Sequence, residues 1–324
     1  MPGKVSPELL EHVFDRTGAD DPAVLQGPAD GEDAAAIACE GGTLVVSSDP
    51  ISLAASEVGR LGVHVACNDV AASGADPRWL TVVIMLPGGA EREVLETVSA
   101  ELDAAAREVG AAIVGGHSEY VDALERPLLS LTAMGPTDRF VPTGGAEPGD
   151  RVLVTKAAAI EGTAILAADF GKELAVPDDV RERALASFEE VSVVPDGRRL
   201  REAASAMHDP TEGGVAAGLS EVARASGVRL EVDREAIPIR PETETLCGAA
   251  GVDPLRIFGS GALLATVSAG SVDEALAALE SAGIDAAAIG TVEAGDPALI
   301  LDGEPVAEPI EDELYPLWEA ADAD

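Results

Sequence analysis

Residues 208 to 221 read His208-Asp209-Pro210-Thr211-Glu212-Gly213-Gly214-Val215-Ala216-Ala217-Gly218-Leu219-Ser220-Glu221. An acidic, hydroxyl-bearing turn leads into a glycine pair at the mouth of an apolar helix that ends near Arg224. Glycines at a helix start let backbone N–H groups approach a phosphate, and the helix N-terminus favours an anion. Asp209 and Glu212 beside them would repel a bare phosphate. A divalent cation between carboxylate and phosphate removes that conflict, as Mg²⁺ does with nucleotides. Taken alone, the segment is equally an ordinary loop-to-helix turn capped by Asp209 or Thr211.

Other carboxylates recur at strand or loop ends beside small or hydroxyl residues: Asp30, Glu32 and Asp33 in a glycine loop, Asp49 after a strand, Asp69 beside Asn68, and Glu119 after Gly115-Gly116. A polyphosphate bound through Mg²⁺ needs such ligands from separate loops, because each ion keeps several waters and takes one or two protein carboxylates. In a chain this acidic a single aspartate is more often a solvated surface residue. Junction acids flanked by glycine therefore weigh more than helix-face acids such as Glu101 or Glu108. His117 reads either as a general base or phosphate contact, or as a turn histidine satisfied by backbone. No GxxxxGK[ST] segment exists and Lys156 lacks a preceding glycine loop, which excludes a P-loop.

These residues need strands and helices to hold them. Hydrophobic periodicity predicts helices over Ser6–Arg16, Glu57–Ser73, Glu91–Val109, Ile160–Phe170, Asp178–Glu190 and Val272–Ala282. Strands are predicted at Thr43–Ser47, Leu80–Leu86, Ala111–Val114, Leu128–Met134, Arg151–Thr155, Arg229–Val232, Ala262–Val267 and Leu299–Leu301. The Gly- and Pro-rich stretch Val141–Asp150 divides the chain, giving domains 1–145 and 146–324. Strands and helices alternate on both sides, so each half is layered α/β or α+β.

The 324 residues hold 21 Lys+Arg against 59 Asp+Glu, a formal charge of −38. The acid is dispersed, lysine occurs only at positions 4, 156 and 172, and the apolar fraction is that of a globular protein. Such a surface suits a protein hydrated in concentrated salt, where screening makes self-repulsion tolerable. The expectation is a cytoplasmic protein of a halophilic archaeal cell, with neither nucleic acid nor membrane as partner. Cys39, Cys67 and Cys247 are too scattered for a disulfide framework or a zinc site, and no apolar run has the length of a membrane span.

Five segments occur together, in order: Gly31-Glu32-Asp33-Ala34-Ala35, Ser48-Asp49-Pro50-Ile51, Asn68 to Pro77, Gly115-Gly116-His117-Ser118-Glu119 and His208 to Gly214. In this set, from about residue 27 to about 300, the chain resembles the aminoimidazole ribonucleotide synthetase-related ATP-binding superfamily. The resemblance implies a two-domain PurM-like fold, α/β plus α+β. The N-terminal domain would pair with a second subunit's to form a dimeric barrel, and ATP and Mg²⁺ would lie in the cleft against the C-terminal α+β domain. By motif, Asp33, Asp49, Asp69 and Asp209 become metal–phosphate ligands. Asn68, Gly115, Gly116 and Ser118 would touch nucleotide, Thr211, Gly213 and Gly214 would line its phosphate side, and His117 and Asp209 would carry the catalytic roles.

Asp209-Pro210-Thr211-Glu212-Gly213-Gly214 and Ser260-Gly261-Ala262-Leu263-Leu264 are similar to the carbamoyl dehydratase (hydrogenase maturation) branch. That branch carries its reacting group on a cysteine in a Pro-Arg-Ile-Cys tail, whereas these residues end in Leu314-Tyr315-Pro316-Leu317-Trp318 and an acidic segment, and their last cysteine is Cys247. Cys247 reads as an apolar residue inside a helix. The expected activity is ATP-dependent phosphorylation of an oxygen on a carboxamide or other small molecule, in a homodimer. The alternatives are a nucleotide-binding partner in a maturation complex that does not turn ATP over, and a kinase of the thiamine-monophosphate type.

Overall fold

Along Trp79–Pro87 every second side chain, Leu80, Val82, Ile84 and Leu86, is buried, the period of a strand with one covered face. The computed structural model describes residues 5, 7–14, 16–29, 31–51 and 57–322. Ser6, where the first helix was expected to begin, and Asp30 of the glycine loop lie outside the described residues. The first half of the chain forms a six-stranded sheet. Its strands are β1 (Val24–Gln26), β2 (Ala35–Cys39), β3 (Gly42–Ile51), β4 (Trp79–Pro87), β5 (Ala112–Val121) and β6 (Leu128–Thr137), in the order β1-β2-β3-β6-β4-β5. Only β4 and β5 run parallel. Helix α1 (Pro7–Phe14) precedes the sheet, and α2 (Val58–Ala72) and α3 (Arg92–Val109) supply the core on its buried face. α2 is buried almost all round, because the second half of the chain covers its outer side.

That second half adds β7 (Asp150–Thr155), α4 (Ile160–Ile165), α5 (Asp178–Ala186), α6 (Val194–Leu200), β8 (Ala204–His208) and α7 (Gly214–Ser226). Then come β9 (Arg229–Val232), α8 (Pro241–Ala250), β10 (Leu264–Ser268), α9 (Val272–Glu280), β11 (Ala286–Glu293), β12 (Ala298–Leu301), β13 (Glu304–Pro305) and α10 (Tyr315–Asp322). The seven strands lie in the order β13-β12-β9-β11-β7-β10-β8. Val152, Val154 and Leu264 pack with Leu219 and Val222 of α7. Leu153, Met207 and Ala265 point the other way, toward Leu200 of α6 and Leu279 of α9. Both faces of the sheet are therefore covered by helices.

The two sheets flank the Gly- and Pro-rich stretch expected to divide the chain. Two expectations change. Asp49 lies within β3 rather than beyond it: β2 stops pairing at Val46, and from there β3 runs on paired with β6 alone, Pro50 opposite Ser130, a one-sided stretch that tolerates proline. Gly115-Gly116-His117-Ser118-Glu119 is not a loop but the middle of β5. A Cβ on Gly116 would lie 1.9 Å from the Val82 carbonyl oxygen, so glycine serves the approach of β5 to β4. One chain forms an open sheet ending at β5, not a closed barrel. The C-terminal segment is anchored: Trp318 packs 6.1 Å from Phe258 and 6.3 Å from Phe170, and its indole N–H donates to Asp169 at 2.9 Å.

Candidate active site

Strand period places Ser47 and Asp49 on the same side of β3, and Asp69 comes from α2 to meet them. The Ser47 hydroxyl donates to Asp49 at 3.2 Å and also to Asp69. Asp209 follows β8 and brings a further carboxylate from the other domain. Burial, and then the charges of Asp49, Asp209 and Asp33, hold the Asp69 carboxyl well above the usual carboxylate range. Burial, and then Asp33, do the same to Asp209, partly offset by His208. Asp209 is 2 % exposed, and neither of its oxygens has a hydrogen-bond partner other than the neighbouring carboxyl of Asp69. An orphaned buried carboxylate costs several kcal/mol unless something cationic meets it. The four expected metal ligands thus converge from three N-terminal-domain segments and one C-terminal-domain strand end.

Among the described residues no three His, Cys, Asp or Glu side chains form a ready-made metal cage. Mg²⁺ bound with a nucleotide takes few carboxylates per ion and completes its shell with water and phosphate oxygens. The donor set, all hard oxygen, fits the ion.

His208 links the two domains. Its Nδ1 lies 2.8 Å from Asp33 and its Nε2 lies 2.9 Å from Glu221 on α7. Burial alone would depress its pKa, but the two carboxylates outweigh burial and raise it well above the ordinary imidazole value. Beside Asp33, Glu32 accepts from the amides of Thr143 at 3.2 Å and Gly144 at 3.0 Å, and the Thr143 hydroxyl donates to Asp33 at 3.2 Å. Glu32 is thus a tether for the glycine loop rather than a further cation ligand.

Gly213 and Gly214 begin α7 in left-handed conformation, as the motif requires, but their backbone is not left for a phosphate. The Gly213 amide donates to Asp312 at 2.8 Å, the Gly214 amide to the Thr211 carbonyl at 3.1 Å, and the Ala216 amide to the Leu255 carbonyl at 2.9 Å. A Cβ on Gly214 would lie 2.5 Å from the Ile257 carbonyl oxygen. The pair serves close packing of the helix start, which corrects the expectation of a phosphate cradle there. The Thr211 carbonyl also accepts from Gly259 at 2.9 Å, so this residue ties the turn to the 255–261 loop.

Asn68 is corrected too. It is fully buried, its amide nitrogen donates to the Val191 carbonyl and its oxygen accepts from the Val193 amide, both at 2.8 Å. With both ends taken, it pins α2 to the second domain. Gly115, Gly116, His117 and Ser118 lie on β5, three strand intervals from β3, or about 14 Å. His117 is exposed and stands 3.7 Å from Glu119. Within one chain these β5 residues do not join the aspartates. Lys156 is structural, its ammonium donating to the carbonyls of Ser192 and Gly261 and standing 3.1 Å from Asp196. Cys247 is buried in α8, and burial pushes its thiol up to about 12.

The residues that sequence reasoning left without a role are Ser47, His208, Glu221 and Asp312. Only His208 carried a local signal, its place beside Asp209. The others reach the site from 22, 13 and 99 positions away from their partners.

Residues 20–137 match the N-terminal domain of AIR synthase related protein and residues 147–302 its C-terminal domain. The chain is 31 % identical over 305 residues to the carbamoyl dehydratase HypE of Rhizobium leguminosarum bv. viciae, covering 91 % of this chain and 85 % of that protein. The fold superimposes on a crystal structure of a HypE–HypF complex with TM-score 0.76 and 25 % identity, over 93 % of this chain and 99 % of that one. For HypE crystallised in complex with ATP the TM-score is 0.68 at 27 % identity, covering 95 % and 96 %.

Proposed function

The chain belongs to the AIR synthase related family, near HypE, and we propose that it binds ATP with Mg²⁺ between its two domains and directs the γ-phosphate to an oxygen of a carboxamide or other small molecule. The observation that carries this reading is Asp209, with both oxygens buried and met by no group but the carboxyl of Asp69, beside Asp33 and Asp49. Asp33, Asp49, Asp69 and Asp209 are the residues that would hold Mg²⁺. When bound, the ion would supply the positive charge that these carboxylates and a polyphosphate both require.

The chain's own residues prepare that place. Ser47 fixes Asp49 and Asp69 relative to one another, and burial by α2 and β8 excludes water from Asp69 and Asp209. The acceptor oxygen would attack the γ-phosphorus as the bond to the β,γ-bridging oxygen breaks and ADP leaves. His117 and the Gly115-Gly116 pair take part in this reading only across a subunit boundary, because β5 is the free edge of the sheet. Relatives crystallised with ATP, and named for a dehydratase acting on a carbamoyl group, support the nucleotide and the carboxamide class.

Calorimetry in KCl buffer tests the binding: ATP with Mg²⁺ should bind, and ATP with EDTA should bind far more weakly. Absence of binding at millimolar ATP refutes the reading. Hydrolysis measured with carbamoyl phosphate, thiamine monophosphate or formylglycinamidine ribotide then separates phosphoryl transfer from a partner protein that holds ATP without turnover.

A further inference from the structure

His208 ends β8, immediately before Asp209, and its side chain is 5 % exposed. Both ring nitrogens face carboxylates, Nδ1 that of Asp33 and Nε2 that of Glu221. Asp33 belongs to the N-terminal domain, Glu221 to a helix of the C-terminal domain, and 175 positions separate Asp33 from His208. Each ring nitrogen thus stands within hydrogen-bond distance, 2.9 Å, of a carboxylate from a different element. The glycine loop is otherwise held through the 143–144 segment, where Glu32 and Asp33 meet Thr143 and Gly144.

We infer that His208 is a positioning residue: it carries Asp33 across the interdomain cleft and sets it beside Asp209, while Glu221 fixes the ring from behind. The geometry requires this. Asp33 and Asp209 share no sheet and no helix, so their spacing depends on side-chain ties between domains. His208 is the tie adjacent in sequence to Asp209, so a movement of β8 moves both carboxylates together. It touches neither nucleotide nor cation in this scheme. This inference rests on the ATP·Mg²⁺ reading for its consequence but not for its structural content.

The two ring nitrogens can be separated by substitution. An asparagine amide nitrogen stands near the place of Nδ1 and keeps the tie to Asp33. A glutamine amide nitrogen stands near Nε2 and keeps only Glu221. Two measurements are made on the full-length protein: the Mg²⁺ concentration giving half-saturation with ATP, and amide exchange of residues 31–34 in EDTA without nucleotide. His208→Gln and His208→Ala should raise half-saturating Mg²⁺ by roughly tenfold or more, as loss of an outer-shell partner does. His208→Asn should recover most of that loss, to within about threefold of the parent. Loop exchange should rise roughly tenfold in Gln and Ala and much less in Asn.

A merely space-filling or charge-bearing histidine would make Asn and Gln equivalent, and that outcome overturns the inference. So does unchanged loop exchange in His208→Gln. If the alanine variant fails to fold, the Asn–Gln comparison still decides. If the parent binds no ATP, the nucleotide reading fails, and the exchange measurement alone decides whether His208 holds the loop.

Discussion

Asp312 accepts the Gly213 amide at 2.8 Å through one oxygen and the Leu314 amide at 3.0 Å through the other. It thereby takes the place at the helix start that the glycine motif offers to a phosphate. Burial raises its pKa from 3.8 to about 7 despite those two amides. The folded state therefore holds this proton more tightly than the unfolded chain. The contribution is fully present below about pH 4, is lost as pH rises through 7, and is worth at most about 4 kcal/mol. Asp312→Asn removes the titration and leaves one amide short of an acceptor, a pH-independent cost of about 1 kcal/mol. The melting-temperature difference, variant minus parent, should climb from pH 4 to 7 and level off above. A flat difference rejects the shifted carboxyl.

The orphaned oxygens of Asp209 predict a conflict between stability and function. At pH 8 without metal, the parent bears the cost of a buried carboxylate among three others. Asp209→Asn and Asp69→Asn should melt at or above the parent in EDTA, yet weaken Mg²⁺-dependent ATP binding roughly tenfold or more. Glu93→Gln on the exposed side of α3 is the control. Glu101 would be a poor one, since it accepts the Gly59 amide at 2.9 Å. Variants that lose stability in EDTA and keep their affinity would contradict the assignment.

The aspartates stood out in the sequence because each has small or hydroxyl residues near it, although the structure sets Asp49 inside β3 and Asp69 inside α2 rather than at their ends. Helix α2 and strands β4 and β6 were legible from alternating or helical apolar spacing. Strand β11, Ala286-Ala287-Ala288-Ile289-Gly290-Thr291-Val292-Glu293, was not, since alanine and glycine carry no strand signature and pairing with β7 and β9 decides its state. Asn68 and the Gly213-Gly214 pair misled in a common way. Their residue types suit a ligand, but the partners that satisfy them, Val191, Val193 and Asp312, lie 123, 125 and 99 positions away. Periodicity sees faces of single elements, and tertiary hydrogen bonds are invisible to it.

Charge predicts salt dependence. With 59 acidic against 21 basic residues, carboxylate self-repulsion opposes the compact state at low ionic strength. At 1 M salt the Debye length is about 3 Å, against about 10 Å at 0.1 M, so only near neighbours still repel. Melting temperature should rise steadily between 0.1 and 2 M KCl, mostly in the first part of the range. An unchanged melting temperature would remove the case for adaptation to concentrated salt.

The edge of the first sheet predicts the assembly. β5 is ten residues long, lies outermost, and is exposed along nearly its whole length. Ile113, Val114 and Tyr120 are 43 %, 58 % and 61 % exposed. A long edge with free backbone groups and apolar side chains is a template for another strand unless charge or proline blunts it. Its single carboxylate is Glu119, which stands 3.7 Å from His117, so the strand carries little charge to blunt it. Pairing with a second copy would bury those side chains and bring His117 within a subunit boundary. Light scattering in KCl buffer should return twice the chain mass of 32.9 kDa. Val114→Lys together with Tyr120→Lys should shift the species to one chain while leaving the far-ultraviolet spectrum of the fold intact, because neither side chain belongs to the core within a chain. A parent that scatters as 32.9 kDa at every working concentration would refute the dimer.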